Sequence, residues 1–511
     1  MELLIYNISP FEAITAIIIL YLFYIISLIV HRLYFSPLAS FPGPKLAAAT
    51  GWYEFYYDYW LNGQFVFEIK RMHDVYGPIV RINPAELSIH DPEFYNELYV
   101  TESKRRTESY DAFCKGIDHE GSFLLTKDHD LHRRRRKPFE PFFSRKGITF
   151  LQPMLSEVCL HLESRIRELG GQKQVIRLDH AFSAFSGDII RLICLGADGT
   201  EDRFLSDPHF SSEWYEMLQM IIRSIPLFTG FPWIIQIAKA LPETLLLWAF
   251  PSGQMFKRFA ERATQNIRRA MSDVSSKEER STSVFHHVVK SDMPESDKSE
   301  ERLMGEAQVM LGGGTVTTAR TLTFASYYIL SRPEVRGRLE SEVKDSMAEW
   351  PERVPTWAEL ERLPFLQGII KESLRHGHGV MHRLPRISPD IPIQYKEYTI
   401  PAGIPVGMSG YLMHSDPITY PSPNEFIPER WLGDVDKSVN RNFVPFCRGS
   451  RGCLGMNLAM AEMSLALAVL YRPNGPKFEL FETDESDVKP VHDFMIPVAK
   501  LSSKGVRVLI C

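Results

Sequence analysis

Cys453 is the residue whose neighbours do most to make it reactive. It lies in Phe446-Cys447-Arg448-Gly449-Ser450-Arg451-Gly452-Cys453-Leu454-Gly455, where a helical pattern from Leu454 to Tyr471 begins. Unpaired amides and the positive end of that helix favour an anion there, which pushes the thiol towards thiolate. Glycines at 449, 452 and 455 let the backbone bend and approach a flat ligand closely. Phe446 offers an apolar wall against water, and Arg451 a cation two residues away. A buried structural cysteine in a glycine-rich turn is the bland alternative, and Cys447 is a rival ligand.

Other residues have suggestive spacing. Glu372 and Arg375 stand three apart in a helical pattern, so their charges share a face and can pair. Gly313-Gly314-Thr315-Val316-Thr317-Thr318 interrupts a long helical pattern with small residues, and the Thr317 hydroxyl can bond back to the Gly313 carbonyl and bend the helix. Arg133 to Lys137 is a basic run, read either as a solvated face or as a docking face for an acidic partner. Histidines cluster at 376, 378 and 382, but only 378 and 382 have the helical i, i+4 spacing, which argues against zinc.

The elements that must position these groups are mostly helical. Periodicity predicts helices over Ser299 to Ser331, Pro333 to about Trp350, Thr356 to Arg375, and Leu454 to Tyr471. Strands are predicted at Ile79–Ile82, Leu87–Ile89, Ile393–Ile400 and Val506–Ile510. The polar stretch Ser272 to Arg302 reads as an exposed connection. No internal repeat is present. The fold class is therefore mainly α with small β-sheets.

The N-terminus is organised differently. Ala13 to Val30 is eighteen residues without a charge, a helix of about 27 Å and enough for a bilayer core. Glu2 and Glu12 precede it, and His31, Arg32 and Lys45 follow, which predicts a lumenal N-terminus and a cytosolic body. A cleaved signal peptide fits less well, because no basic region precedes the run. The expected organisation is a short lumenal segment 1–12, a single-pass anchor 13–32, a stiff Pro-rich linker 33–45 and one domain 46–511. Asn7-Ile8-Ser9 is a glycosylation sequon close to the membrane. The formal net charge of -5 gives no general pull towards nucleic acid. Six cysteines, at 114, 159, 194, 447, 453 and 511, form no C-x-x-C pair, and their scatter fits a reducing compartment.

The Cys453 segment matches, at each fixed position, the FxxGxRxCxG signature of the cytochrome P-450 family, the haem-thiolate monooxygenases. The resemblance runs from about Ser36 to the C-terminus. It implies the family's fold, with haem b (iron protoporphyrin IX) between the long helix and the cysteine loop. Cys453 would be the axial iron ligand, with Phe446, Arg451 and Gly455 around it. A thiolate on haem iron pushes electron density towards bound oxygen and promotes O–O cleavage. Glu372 and Arg375 resemble the family's ExxR, and Pro428-Glu429-Arg430-Trp431 the segment that adds Arg430 as structural support. His132 and Arg136 resemble WxxxR, with histidine for tryptophan; with Arg386 and Arg451 they would meet the haem propionates. Gly313 and Gly314 would let the helix lie over the ring, and Thr317 would hydrogen-bond bound dioxygen or its proton-carrying water. Val316 departs from the family's acid at that place, so proton delivery must run through water, Thr315, Thr317 or another route.

The family also implies an NADPH-cytochrome P-450 reductase as electron source, cytochrome b5 as a second partner, and the endoplasmic reticulum membrane as location. Ser40 to Asp58 and Asp128 to Ser144 are similar to fungal secondary-metabolite members of the trichodiene-oxygenase kind, which points to a terpenoid-type, lipophilic substrate. The pocket is expected around Glu108–Phe123, Trp214–Phe250 and the long helix. Half of Trp214–Phe250 is expected in the core, and half as a lid that touches membrane lipid. Two other classes stand beside the monooxygenase: a haem-thiolate isomerase or dehydratase acting without reductase, and a non-catalytic haem-binding protein.

Overall fold

The computed structural model describes residues 9–110, 121–196, 203–249, 251, 253–272 and 283–511. The Asn7 sequon, Cys114, residues 111–120 of the expected pocket and 273–282 of the polar connection lie outside them.

The apolar N-terminal run is helix α1 (Pro10–Val30), long and apolar enough to cross a membrane, opened by Ser9, whose side chain accepts from the Glu12 amide while Glu12 reaches back to the Ser9 backbone. With the turn that follows, 26 residues run from Pro10 to Phe35 with none of the apolar span buried. Arg32 donates to Ala49 O at 2.9 Å, and buried Arg81 donates to Arg32 O at 2.8 Å, so the end of this helix is tied to the body. The Pro-rich stretch is not a free spacer. Leu38 and Phe41 are buried in a core cluster, and Arg81 N–H donates to Pro42 O. Gly43 sits at φ +155°, where a Cβ would lie 2.4 Å from Arg81 O.

The helices that matter for the site are α2 (His129–Arg136), α3 (Arg145–Gly171), α4 (Leu178–Leu195), α5 (Ser212–Gly230), α6 (Glu300–Ser331), α7 (Pro364–His376) and α8 (Met456–Leu470). Ser299 caps α6 by accepting from the Arg302 amide, Glu300 and Glu301 complement its dipole, and the chain leaves the helix at Arg332 before Pro333. This helix lies along α4, whose 18 residues are all buried, and also crosses α7 and α8.

Small sheets close the side of the helical body. The largest runs in the order β1-β2-β5-β4-β3, with β1 Ile79–Arg81, β2 Leu87–Ile89, β3 Glu108–Ser109, β4 Arg386–Ile387 and β5 Pro405–Gly407. Ile79 faces Ile89 in the antiparallel first pair, and β2 runs parallel to β5.

Several boundaries differ from the expectation. The helix from Pro333 stops at Val343. The pattern Thr356 to Arg375 breaks into Trp357–Leu360 and α7, because Pro364 has no N–H to give and holds Leu363 extended at ψ 101°. Ile393–Ile400 is a hairpin, Ile393–Tyr395 against Tyr398–Ile400, turned at Lys396 with φ +49°. Part of the polar connection is the short helix Val284–Val289, which buries Val284, Phe285, Val288 and Val289. The segment Trp214 to Phe250 divides within its described residues. The α5 portion buries Trp214, Met217, Leu218 and Ile222, whereas Trp233, Ile237, Leu245 and Trp248 beyond it are exposed.

Candidate functional site

The Cys453 loop is built on tight backbone geometry. Gly449 has φ +74°, and a Cβ there would stand 2.4 Å from Val100 O, so only glycine fits. Ser450 N–H donates to that same carbonyl, and Cys453 N–H donates to Phe446 O at 2.8 Å. The chain then enters α8 at Met456, with Gly455 as its cap. The Cys453 side chain is accessible although protein surrounds it. Burial pushes its thiol up; the Gly455 amide and the Arg136 charge pull the other way without overcoming it. The helix terminus anticipated from sequence is present, but desolvation outweighs it.

Cys447 is turned elsewhere. Its backbone is left-handed at φ +55°, and its sulfur lies 3.6 Å from the Tyr95 hydroxyl and 3.6 Å from Arg386 Nη2.

Four cationic or polar groups act on one another beside the loop. His132 is buried on α2 and feels the charges of Arg451, Arg136 and Arg386; burial first, then those charges, push its imidazole down to about 2, so it is neutral. Its Nδ1 has no partner. Arg136 donates to Gly452 O at 2.6 Å, and its Nε pairs with Glu140 at 3.1 Å. Arg451 reaches back to Thr126 O and Lys127 O, yet its Nε is unpartnered, and burial with Arg386 nearby holds the guanidinium below its ordinary value. Arg386 is buried and donates to Leu384 O and Pro385 O. The orphaned nitrogens and the crowded positive charge fit a ligand that carries carboxylates, as a haem does. A Cβ on Gly313 or Gly455 would meet nothing within 4 Å, so both leave room for a flat face.

The basic run is less free than expected. Arg133 and Arg136 share Glu140, while Arg134 and Arg135 share Asp297.

On α6, Thr317 Oγ1 donates to Gly313 O at 2.8 Å, the back-bond expected of it. Gly314 has a different reason from the one anticipated: a Cβ there would stand 2.5 Å from Ile190, so its smallness serves the packing of α6 on α4. Thr315 is wholly buried, with its hydroxyl near Gly187 of α4 and no partner of its own. That turns it into the core and away from any proton route. Val316 packs against a cluster containing Ile222, Phe494 and Ile496.

Behind the loop, Glu372 and Arg375 form a bidentate pair on α7 at 2.8 and 2.9 Å, both fully buried. Arg430 joins at 3.2 Å. Sequence reasoning missed Trp431 Nε1 and Ile427 N–H, which also donate to Glu372, each at 3.0 Å. It missed His414 too. Its carbonyl accepts from Arg375, and its Nε2 accepts from Val444 N–H, which ties the ion pair to the chain leading into the cysteine loop. Burial works to raise the Glu372 carboxyl, but Arg375, Ile427 and Arg430 hold it below its ordinary value. The expected histidine cluster has separate partners: His376 meets Asn424 O, His378 packs on Tyr411, and His382 meets Asp493. A further unforeseen group is Glu306 on α6. It accepts from Phe123 N–H and pairs with Arg302 at 2.5 Å, while burial pushes its carboxyl up to about 7.

The family model of Cytochrome P450 matches residues 47–504. A cytochrome P450 monooxygenase of Aspergillus clavatus, oblB, is 48% identical over 510 residues, covering 98% of this chain and 98% of its own length. The fusicoccadiene C-8 hydroxylase of Phomopsis amygdali is 48% identical over 490 residues, 94% of this chain and 93% of its own. Stellatic acid synthase of Emericella variicolor is 42% identical over 519 residues, 96% and 94% of the two chains. With a thiol set in the signature loop, a cation cluster suited to a haem's carboxylates and likeness along nearly the whole chain, this protein belongs to the cytochrome P450 family, as a monooxygenase that works with a haem, a redox partner and a substrate.

Proposed function

We propose that the chain is a membrane-anchored, haem b-dependent monooxygenase that hydroxylates a lipophilic terpenoid, or oxidises it further. The observation that carries the reading is the accessible Cys453 sulfur beside four groups, His132, Arg136, Arg386 and Arg451, that share one crowded positive field. Cys453 would hold the iron, and His132 and the three arginines the two propionates. Bound there, haem supplies dioxygen activation, with one oxygen atom entering a C–H bond and the other leaving as water. Phe446 would offer an apolar wall beside the sulfur once haem covers it. Thr317 holds a hydroxyl proton on the long helix, given to Gly313 O at rest and available to a water on the oxygen side. Glu372, Arg375 and Arg430 fix the loop and touch no reactant.

The printed names of the relatives support a terpenoid of fungal secondary metabolism, and they include both a hydroxylase and an acid synthase. The substrate would gain either one oxygen or several in succession. Electrons would come from an NADPH-cytochrome P450 reductase, with cytochrome b5 as an auxiliary donor. The anchor and the exposed aromatics after α5 would hold the body against the endoplasmic reticulum membrane.

Reduced holoprotein under carbon monoxide should give the red-shifted Soret band of thiolate-ligated ferrous haem, and Cys453→Ser should lose it. Microsomes containing the reductase, fed terpene hydrocarbons and read by mass spectrometry, should yield products heavier by one oxygen only with NADPH. A band that survives the serine variant, or product without NADPH, overturns the reading.

A further inference from the structure

On the face of α6 that carries Val316 and Arg320 lies a second cleft, closed by α4, α5 and the C-terminal residues 496–506. It is open to solvent at its mouth, and none of the residues assigned to the cysteine site lines it.

Arg320 is the unusual group in its wall. Protein surrounds the side chain, although an edge remains accessible. One hydrogen bond, to Val488 O at 3.2 Å, uses one nitrogen, and Nε has no partner. Burial pushes the guanidinium down to about 10, with only Tyr215 working against that shift. The cleft contains carboxylates, yet they are engaged elsewhere. Asp179 pairs with Arg177 at 2.5 Å, Glu216 with Arg177 at 3.6 Å, and Asp487 with Lys500 at 3.3 Å. Among the described residues Arg320 therefore has no anion. An enclosed guanidinium with free donors is costly unless something anionic or strongly accepting meets it, and its planar fork matches a carboxylate. The apolar part of the lining is formed by Leu218, Val316, Ile496 and Val498. Arg177 and Lys500, also in the lining, are engaged with Asp179, Glu216 and Asp487, so an enclosed cation beside apolar lining suits an amphipathic anion.

We propose that this cleft binds a lipophilic carboxylate, its head on the Arg320 guanidinium and its chain along Leu218, Val316 and Ile496. None of the residues that would hold the haem lines this cleft, so the proposal stands or falls independently of the proposed monooxygenation.

The test is calorimetric titration of full-length, haem-loaded protein in phosphatidylcholine nanodiscs with octanoate, octan-1-ol and acetate. Octanoate should bind about tenfold or more tightly than either of the others, since each lacks one half of the match. Arg320→Met should weaken octanoate by about tenfold. Thr323→Glu keeps the arginine but offers it a carboxylate from the same helix face, so it should weaken octanoate similarly. The carbon monoxide band checks that each variant keeps its haem site. Equal binding of octanol removes the charge argument, and equal binding of acetate removes the lipophilic one. Unchanged octanoate affinity in both variants places the ligand elsewhere, and displacement by imidazole bound to the iron places it in the haem pocket. Any of these overturns the proposal.

Discussion

Glu372 and His132 are both buried polar side chains, and their surroundings could hardly differ more. Glu372 receives hydrogen bonds from Arg375, Arg430, Trp431 and Ile427, while Arg375 also meets three backbone carbonyls. His132 lies among like charges with an unpartnered nitrogen. The first region is complete in itself, which is the signature of scaffold. The second is complete only with a carboxylate-bearing ligand, which is the signature of a binding site. At these two residues, both buried, polar satisfaction is what differs.

The contrast can be broken most directly at Glu372. Glu372→Ala leaves Arg375 buried without its counter-ion and should lose about 3–5 kcal/mol of stability, seen in urea unfolding, together with haem content. A loss below about 1 kcal/mol would mean that the pair is not scaffold.

Acid should strain the same region next. His414 is fully buried, burial and the nearby Arg375 charge push it down to about 3, and its Nε2 accepts from Val444 N–H. The unfolded chain takes up this proton near pH 6.5, so stability is full above that value and falls as pH drops through it. The deficit should reach about 2 kcal/mol by pH 5. His414→Gln, which keeps an acceptor but cannot titrate, should flatten that part of the pH dependence of unfolding.

The incomplete region should respond in the opposite way. His132→Phe removes no protein hydrogen bond and should change unfolding free energy by less than about 1 kcal/mol. Haem affinity should nevertheless fall by about tenfold, as one charge-assisted bond is lost. A destabilised fold with unchanged haem affinity would place His132 with the scaffold.

The smallest effects concern coupling. Val316→Glu places a carboxylate four residues before Arg320, a favourable helical pair worth about 0.3–0.5 kcal/mol. Product per NADPH should rise if the missing acid limits proton delivery. Thr317→Ala should lower that ratio, with little change in folding.

Much of this was legible in sequence because local chemistry and tertiary demand agree. Ser299, the acidic first turn and Pro333 bound the long helix within one residue of its observed limits. Glycine spacing around Cys453 was likewise readable, since the Gly449 conformation excludes a side chain. What stayed hidden depends on distant partners. No pattern announces that Ile190 explains Gly314, that Asp297 neutralises two arginines of the basic run, or that Leu38 and Phe41 make core of a proline-rich stretch. The Lys396 turn was missed because it lacks the glycine or asparagine that marks most such reversals.

The seam between anchor and body has a wider consequence. Arg32 and Arg81 lock the helix end onto the catalytic domain, so the tilt of one fixes the attitude of the other, as a keel fixes a hull. Trp52 of the region next to this seam packs near Phe231, just before the exposed Trp233. With α1 seated in a bilayer, as proposed, a lipophilic substrate would meet the enzyme from the oil phase, and its saturation curve should follow moles of substrate per mole of lipid, not its aqueous molarity.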